Sequence, residues 1–193
     1  MDEKQKKSAP AGRPRSRKAW EAVMTATLNL LKTTGYKNLT MERIAKEAGV
    51  GKPTLYRWWP GVPFIVMEAL KLQAETEIAL PDTGRLKSDV LQYMRQTFRT
   101  LADGSDEIVC SLMAEAQFNP EFAAAFRETF ISSRRAALIR LLQRGAERGE
   151  LPENADLELV ADLCYGPMWY RLLNRHAALE EPFADSLVSY LFD

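Results

Sequence analysis

The stretch from Thr40 to Pro60 constrains the fold most, because it holds two short helical runs separated by a glycine turn. Thr40 is expected to cap the first run, since a threonine hydroxyl accepts a hydrogen bond from the free amides of a first helical turn. Gly49 ends that run where a left-handed residue is favoured. Pro53 suits the first turn of the second run, and Pro60 marks its end. This order predicts a helix-turn-helix unit.

The second run carries side chains that suit contact with DNA. Cations and hydroxyls bind phosphates, and an arginine can pair with guanine in the major groove. Leu55 and Trp59 are four residues apart and are expected to face inward. The alternative is that the aromatic residues of this run are only core residues of a helical bundle. The polar and aromatic candidates are Lys52, Thr54, Tyr56, Arg57 and Trp58.

Charge is distributed unevenly along the chain, although the 193 residues have a formal net charge of zero. Residues 1–60 contain 13 Lys and Arg against 5 Asp and Glu. Residues 61–193 contain the other 13 basic residues and 21 acidic ones. A basic first third followed by an acidic remainder is expected when only the first part meets a polyanion.

Residues 1–15 mix Lys, Pro, Ala and Gly without an apolar period, so the sequence predicts a disordered basic arm. Arg15, Arg17 and Lys18 lie at the end of this arm and the start of the first helix. They are predicted to bind phosphate or the minor groove. The alternative is that the arm only increases solubility.

Other features argue against several classes of protein. Cys110 and Cys164 are the two cysteines, a number expected for reduced core thiols in the cytoplasm, although a disulfide between them is the alternative. No apolar run approaches the roughly 20 residues that a membrane span needs. His176 is the single histidine, so no zinc site is expected. The sequence contains neither a glycine-rich phosphate loop nor a catalytic trio, so an enzyme is not expected. No cofactor is predicted.

A set of spaced residues resembles the N-terminal DNA-binding domain of the TetR family of bacterial transcriptional regulators, over about residues 16–70. The set is Ala26, Leu30, Gly35-Tyr36, Leu39-Thr40-Met41, Ile44-Ala45, Ala48-Gly49-Val50, Thr54-Leu55-Tyr56 and Trp59-Pro60. The resemblance implies an all-α homodimer whose C-terminal domain binds a small ligand and dimerises. It also implies that the cap of the second helix and the third helix contact DNA. By position these residues are Thr40, Lys52, Pro53, Thr54, Tyr56, Arg57 and Trp58.

Two positions depart from the family pattern. Gly51 stands where a serine cap is common, and the segment 61–64 (Gly-Val-Pro-Phe) stands where a phosphate-binding lysine usually starts the fourth helix. We therefore expect the basic arm to supply the phosphate contact that this lysine would make.

The predicted fold is all-α with about nine helices. Residues 1–15 form the arm, 16–62 a three-helix helix-turn-helix domain, and 63–193 a larger α-helical domain for ligand binding and dimerisation. Within the second domain a long helix is expected from Pro120 to Arg148, and residues 103–105 (Asp-Gly-Ser) are expected to end an earlier one.

The second domain has aromatic and methionine residues on faces that are predicted to point inward. Such side chains line apolar ligand cavities, although they also fill ordinary cores. Three polar residues are added as candidates for contact with a ligand. The predicted lining is Met94, Phe98, Cys110, Met113, Gln117, Phe122, Phe126, Phe130, Arg134, Tyr165, Met168 and Trp169.

The resemblance implies that the last two helices form the dimer interface. The helix over residues 156–176 is apolar on two sides, and a helix with two apolar faces needs two partners. The alternative is that both helices belong only to the core of the monomer. The predicted interface comprises Leu159, Leu163, Gly166, Tyr170, Leu173, Phe183, Leu187 and Leu191.

These observations favour a homodimeric regulator, expected to be a repressor, that binds a palindromic double-stranded operator and an unidentified, apolar small molecule. No membrane partner is expected. The alternative is a dimeric helical adaptor that binds other proteins. The adaptor predicts no salt-dependent affinity for duplex DNA, whereas the regulator predicts a steep fall of affinity with salt.

Overall fold

The computed structural model describes residues 16–193, and this part of the chain is helical without β-strands, as predicted. A short 3₁₀ turn at Tyr36–Asn38 precedes the second helix. None of the helices within residues 16–193 has both the length and the apolar character needed to cross a membrane. The helices are α1 (Arg17–Thr34), α2 (Met41–Ala48), α3 (Lys52–Trp58), α4 (Val62–Glu77), α5 (Leu86–Thr100), α6 (Asp106–Phe118), α7 (Pro120–Ala125), α8 (Ser132–Glu147), α9 (Leu157–Asn174) and α10 (Glu181–Phe192).

Two π-helical segments alter the predicted division of the chain. Phe126–Ile131 joins α7 to α8, so the long helix predicted from Pro120 to Arg148 is continuous but changes its hydrogen-bond register. Leu101–Ser105 joins α5 to α6, and Gly104 has a φ of 97° there. The predicted break at residues 103–105 is therefore confirmed as a kink, since only glycine adopts this backbone conformation without strain.

The ends of the helix-turn-helix are formed by local chemistry. The Thr40 hydroxyl accepts a hydrogen bond of 3.2 Å from the amide of Arg43, and Gly49 is left-handed with a φ of 64°. Both features confirm the predicted cap and turn. Ser16 precedes α1 as predicted, but its hydroxyl makes no capping hydrogen bond.

A continuous core runs through the described residues. In the N-terminal part, Val23, Ile44 and Leu55 are fully buried where α1, α2 and α3 meet. The following helix, α4, packs on α1 and also on α5, α6 and α7. Its position makes α4 the physical connection between the helix-turn-helix and the C-terminal helices.

The C-terminal helices pack closely around α5. At Gly145 a Cβ atom would lie 2.5 Å from Cδ2 of Leu86, so the absence of a side chain allows α8 to approach the start of α5. On another side, α10 lies along α5, where Arg95 and Asp185 form a bidentate pair with two contacts of 2.7 Å. Helix α9 packs on α6 and α8 and closes the domain.

Both cysteines are free thiols, which confirms the prediction made from their number. Cys164 is fully buried on α9, and burial raises the pKa of its thiol to about 12. Burial also raises the pKa of the half-buried Cys110. The nucleophilic thiolate is therefore scarce at neutral pH.

We expect Cys164 to resist alkylation in the folded protein. At about pH 8 a thiol with a pKa near 12 is ionised in roughly one molecule in 10,000, and the side chain is inaccessible. In the Cys110→Ser variant, iodoacetamide should label Cys164 only after urea unfolding, as measured by intact mass. Equal labelling rates with and without urea would contradict this expectation.

Candidate DNA-binding surface and ligand cavity

Helix α3 presents a mixed cationic and aromatic face to solvent. Lys52 and Arg57 are exposed, and Tyr56 keeps 51% of its surface accessible. Leu55 and Trp59 lie inside, as their spacing predicts. The alternative that all aromatic residues here are core residues therefore applies to Trp59 and not to Tyr56.

The remaining predicted DNA contacts surround this face. Thr40 and Pro53 are exposed, whereas Thr54 and Trp58 are half-buried. The Trp58 ring packs edge-on against Trp59, with centroids 5.6 Å apart. The Trp58 side chain thus contributes packing contacts at the end of α3, and part of the Trp58 surface remains accessible.

Glu42 connects the exposed face of α3 to α2. Its carboxylate lies 3.4 Å from the Lys52 ammonium and also interacts with the Tyr56 hydroxyl. A hydrogen bond from its own backbone amide, followed by the one from Lys52, lowers the pKa of Glu42. The carboxylate is therefore charged at neutral pH and orients two of the predicted DNA contacts. Sequence analysis did not assign this role to Glu42.

The basic residues before the helix-turn-helix are described only in part. Arg17 and Lys18 are exposed on the first turn of α1, where Arg17 pairs with Glu21 at 2.8 Å. Arg15 and the predicted arm lie outside the described residues.

A carboxylate on α4 holds the end of α3. Glu68 accepts a hydrogen bond of 2.6 Å from the indole nitrogen of Trp20 and one of 2.5 Å from that of Trp59. We call Trp20, Trp59 and Glu68 the indole clamp. The clamp joins α1, the end of α3 and α4 through one side chain. Trp20 and Trp59 are 48 and 9 residues away from Glu68 in the sequence, so no local motif predicts the clamp.

The C-terminal helices enclose a cavity of about 430 Å³. Its walls come from α4, α5, α6, α8, α9 and the two π-helical segments. The lining is mainly apolar, with a few polar groups among it. It comprises Leu70, Gln73, Ala74, Ile78, Thr97, Thr100, Leu101, Ser105, Val109, Met113, Phe130, Ile131, Arg134, Arg135, Asp162, Tyr165, Gly166, Met168 and Trp169.

Part of the predicted lining lies at this cavity and part lies elsewhere. The residues that line it are Met113, Phe130, Arg134, Tyr165, Met168 and Trp169. Helical periodicity places a residue on an inner face but does not distinguish a face against the core from a face against a cavity. Met94, Phe98, Phe122 and Phe126 are packed in the core, Cys110 is half-buried away from the cavity, and Gln117 is exposed.

Hydroxyl groups and one guanidinium form a polar cluster at the cavity wall. The hydroxyls of Tyr93 and Tyr165 are 2.9 Å apart, and Tyr165 donates to the backbone carbonyl of Arg134 at 2.9 Å. The Arg134 guanidinium lies 5.1 Å from the centre of the Tyr93 ring and 3.5 Å from the Thr97 hydroxyl. Burial raises the pKa of Tyr165 well above its ordinary value and also raises that of Tyr93. Both tyrosines therefore remain protonated at neutral pH.

One wall of the cavity belongs to α4. Leu70, Gln73 and Ala74 of this helix line the space, together with Ile78 directly after its last residue. The same helix carries Glu68 of the indole clamp. Helix α4 is thus a direct physical connection between the cavity and the end of α3.

Helix α9 has an apolar face that the other residues of the range 16–193 leave uncovered. Leu159, Leu163, Tyr170 and Leu173 are between 46% and 64% exposed. Gly166, on the same face, is exposed at its outer surface and also borders the cavity. These are the α9 residues that sequence analysis predicted for a dimer interface.

The predicted interface residues of α10 lie differently. Phe183 stacks on Phe98 with centroids 5.8 Å apart, Leu187 is buried, and Leu191 is half-buried. These side chains pack within the chain because α10 lies along α5. The outward residues of α10 are Pro182, Ser186 and Tyr190.

The helix-turn-helix with its exposed cationic helix, placed before a larger helical domain, is that of a bacterial transcriptional regulator that binds DNA. Residues 23–61 match the model of the tetR family of bacterial regulatory proteins. Residues 80–191 match the tetracyclin repressor-like C-terminal domain. The chain therefore belongs to the TetR family. The predicted family and fold class are confirmed.

Relatives with solved structures or curated sequences agree over most of the chain. The HTH-type transcriptional regulator YdeS of Bacillus subtilis is 32% identical over 181 residues, which cover 94% of this chain and 91% of YdeS. The TetR family transcription regulator SCO0332, which has a crystal structure, is 30% identical in sequence to this chain. The two structures match with a TM-score of 0.85, over 91% of this chain and 97% of SCO0332. The regulator FadR of Bacillus subtilis in complex with stearoyl-CoA shares the fold at 18% identity, with a TM-score of 0.67, over 90% and 98% of the two chains.

Proposed function

We propose that the protein is a homodimeric repressor whose affinity for a palindromic operator is modulated by a small apolar ligand in the cavity. The observation that carries this proposal is the exposed face of α3, where Lys52, Tyr56 and Arg57 project from a helix held by buried Leu55 and Trp59. Side chains of these types bind phosphates and base edges when a helix enters the major groove. Such a regulator acts in the cytoplasm.

The uncovered face of α9 supports the dimer. Apolar side chains in a contiguous exposed patch mark an interaction site, and a two-fold axis brings the same patch of two copies together. Gly166 lies within this face, and a Cβ atom there would meet no other atom within 4 Å of it in the monomer. The outward α10 residues Ser186 and Tyr190 extend the surface.

The route from cavity to DNA runs through α4. A ligand that fills the cavity contacts Leu70, Ala74 and Ile78, and the indole clamp holds the same helix to α1 and the end of α3. Two α3 helices bind successive major grooves only when they are about 34–36 Å apart. A ligand that prefers one arrangement of α4 shifts the population of dimers with that spacing. A coupling of about 1–3 kcal/mol changes operator affinity roughly 5- to 150-fold.

The size and lining of the cavity support an apolar ligand. Cavities of about 300–1,000 Å³ with few polar groups are typical of small-molecule sites, and this one measures about 430 Å³. FadR of Bacillus subtilis, which has the same fold, was crystallised with stearoyl-CoA. That neighbour is an example of this fold accommodating a molecule with a long apolar chain.

Arg57→Ala tests the DNA-binding surface. We expect operator affinity to fall about 5- to 150-fold, because an arginine that contacts a base contributes about 1–3 kcal/mol. Binding is measured by gel shift with palindromic DNA from the flanks of the gene. Arg140→Ala, which removes the same charge from an exposed position of α8, is the control. Equal operator affinity of the two variants, with unchanged circular dichroism, would exclude the assigned role of Arg57.

A further inference from the structure

Arg134 differs from the other charged residues of the cavity in how its charge is balanced. Arg134, Arg135 and Asp162 are the charged residues of the lining. Arg135 pairs with both Asp162 and Glu158. Within residues 16–193, Arg134 forms no salt bridge with a carboxylate at 4.0 Å or less. The cavity therefore holds one guanidinium whose charge no neighbouring carboxylate balances.

The contacts of Arg134 leave most of its donors available. A guanidinium has five N–H donors in a planar fork. In the described part of the chain, one nitrogen lies 3.5 Å from the Thr97 hydroxyl, and the group sits over the Tyr93 ring at 5.1 Å and also interacts with the Tyr93 hydroxyl. The ring contact orients the plane without using an N–H donor. Such a fork matches the two oxygens of a carboxylate.

The surroundings of Arg134 favour an anion with a single charge. A partly enclosed charge is costly unless it is paired, so an anion is the expected partner. One guanidinium balances one negative charge, whereas a phosphate monoester carries about −1.5 to −2 at neutral pH. Much of the remaining lining is apolar and is provided by Leu70, Ala74, Leu101, Val109, Met168 and Trp169.

We propose that the effector is an apolar molecule with a single carboxylate, which Arg134 binds while the apolar part fills the space against α4 and α6. This inference rests on the proposed function of the cavity as the ligand site, and it adds the chemical class of the ligand. The Thr97 hydroxyl lies 3.5 Å from the guanidinium, and the Tyr165 hydroxyl donates to the backbone carbonyl of Arg134; these two hydroxyls complete the polar end. The carboxylate end is thus bound by α5, α8 and α9.

Decanoate and decan-1-ol test the proposal, because they share one apolar chain and differ in the charged group. Binding to the full-length protein is measured by isothermal titration calorimetry near pH 7.5. We expect decanoate to bind about 10- to 150-fold more tightly than the alcohol, the ratio for a charge-assisted hydrogen bond of about 1.5–3 kcal/mol. In Arg134→Gln the two ligands should bind with similar affinity. Arg140→Gln, an exposed position on the same helix, should retain the wild-type ratio.

Several results would overturn the proposed ligand class. They are equal affinities of wild type for the two probes, a preference for decanoate that survives in Arg134→Gln, and no binding of decanoate at about 1 mM. Arg134→Lys gives a second measurement, since it keeps the charge but not the planar fork, and it should keep part of the preference. Operator binding by the protein is measured separately, with and without decanoate. Its absence in wild type under both conditions would refute the regulator itself, whereas its presence with failed decanoate binding refutes only the ligand class.

Discussion

Replacing Leu163 with glutamate is expected to convert the protein from a dimer to a monomer and to lower operator affinity more than 100-fold. Leu163 lies in the middle of the exposed apolar face of α9 and is 46% exposed in the single chain. In a two-fold interface the substitution occurs twice, so two carboxylates are buried without partners. Each such burial costs several kcal/mol. A monomer binds only one half of a palindromic site, so the contribution of the second half-site to operator affinity is lost when the dimer dissociates.

Molar mass is measured by light scattering after size-exclusion chromatography, and operator affinity by gel shift on the complete palindrome. Phe118→Glu is the matched control, because Phe118 is 88% exposed on α6 and lies outside the α9 face. We expect this control to remain dimeric and to bind the operator as the wild type does. A dimeric mass for Leu163→Glu, at concentrations where the wild type is dimeric, would refute the assigned interface.

The two sides of α9 explain why this face needs a partner. One side packs inward with Ala161, Cys164 and Met168, which are buried. The other side carries leucines and a tyrosine that the rest of the described chain does not cover. Contiguous apolar surface of this kind is uncommon on monomeric proteins and marks an interface. In the proposed dimer, a second copy that presents the same face would cover both at once.

Local chemistry accounts for the parts of the fold that sequence analysis predicted. The cap at Thr40, the turn at Gly49 and the start of α3 near Pro53 depend on residues within one or two helical turns. The kink at Gly104 likewise depends on one residue that tolerates a positive φ. Short stretches of sequence determine features of this type, so their positions could be predicted without knowledge of the tertiary structure.

The cavity and the indole clamp depend on tertiary contacts instead. The three phenylalanines of α7 and the following π segment have similar sequence environments, yet Phe130 lines the cavity while Phe122 and Phe126 stack in the core. The π-helical register of Phe126–Ile131 shifts the face that each residue presents, and the apolar pattern alone does not reveal that register. Leu187 was likewise predicted for the dimer interface, but it is buried because α10 lies along α5.

Glu68 shows most clearly what a sequence pattern does not reveal. A glutamate among apolar residues of α4 resembles any polar position on a helix. The structure shows instead that it joins Trp20 of α1 to Trp59 at the end of α3. We therefore expect it to contribute both to the stability of the N-terminal helices and to the position of α3.

Substituting Glu68 with glutamine is expected to lower the free energy of unfolding by about 2 kcal/mol and operator affinity by about 10-fold. The carboxylate accepts both indole N–H groups, whereas an amide has one accepting oxygen and a nitrogen that only donates. One indole N–H is therefore left facing another donor. A hydrogen bond to a charged group contributes about 1.5–3 kcal/mol. The loosened end of α3 accounts for the weaker DNA binding, since misplacement reduces its contacts with the groove.

Urea unfolding at a fixed protein concentration measures the stability, because dimer stability depends on concentration. The matched control is Glu75→Gln, on the same helix, where the exposed pair with Lys71 at 3.6 Å is expected to contribute less than 1 kcal/mol. Trp20→Phe removes one indole N–H and keeps an aromatic ring. If the clamp acts as a unit, the double variant Trp20→Phe with Glu68→Gln loses less stability than the two single variants combined. Additive losses, or a Glu68→Gln variant that matches the Glu75→Gln control in stability and operator affinity, would show that the clamp does not position α3.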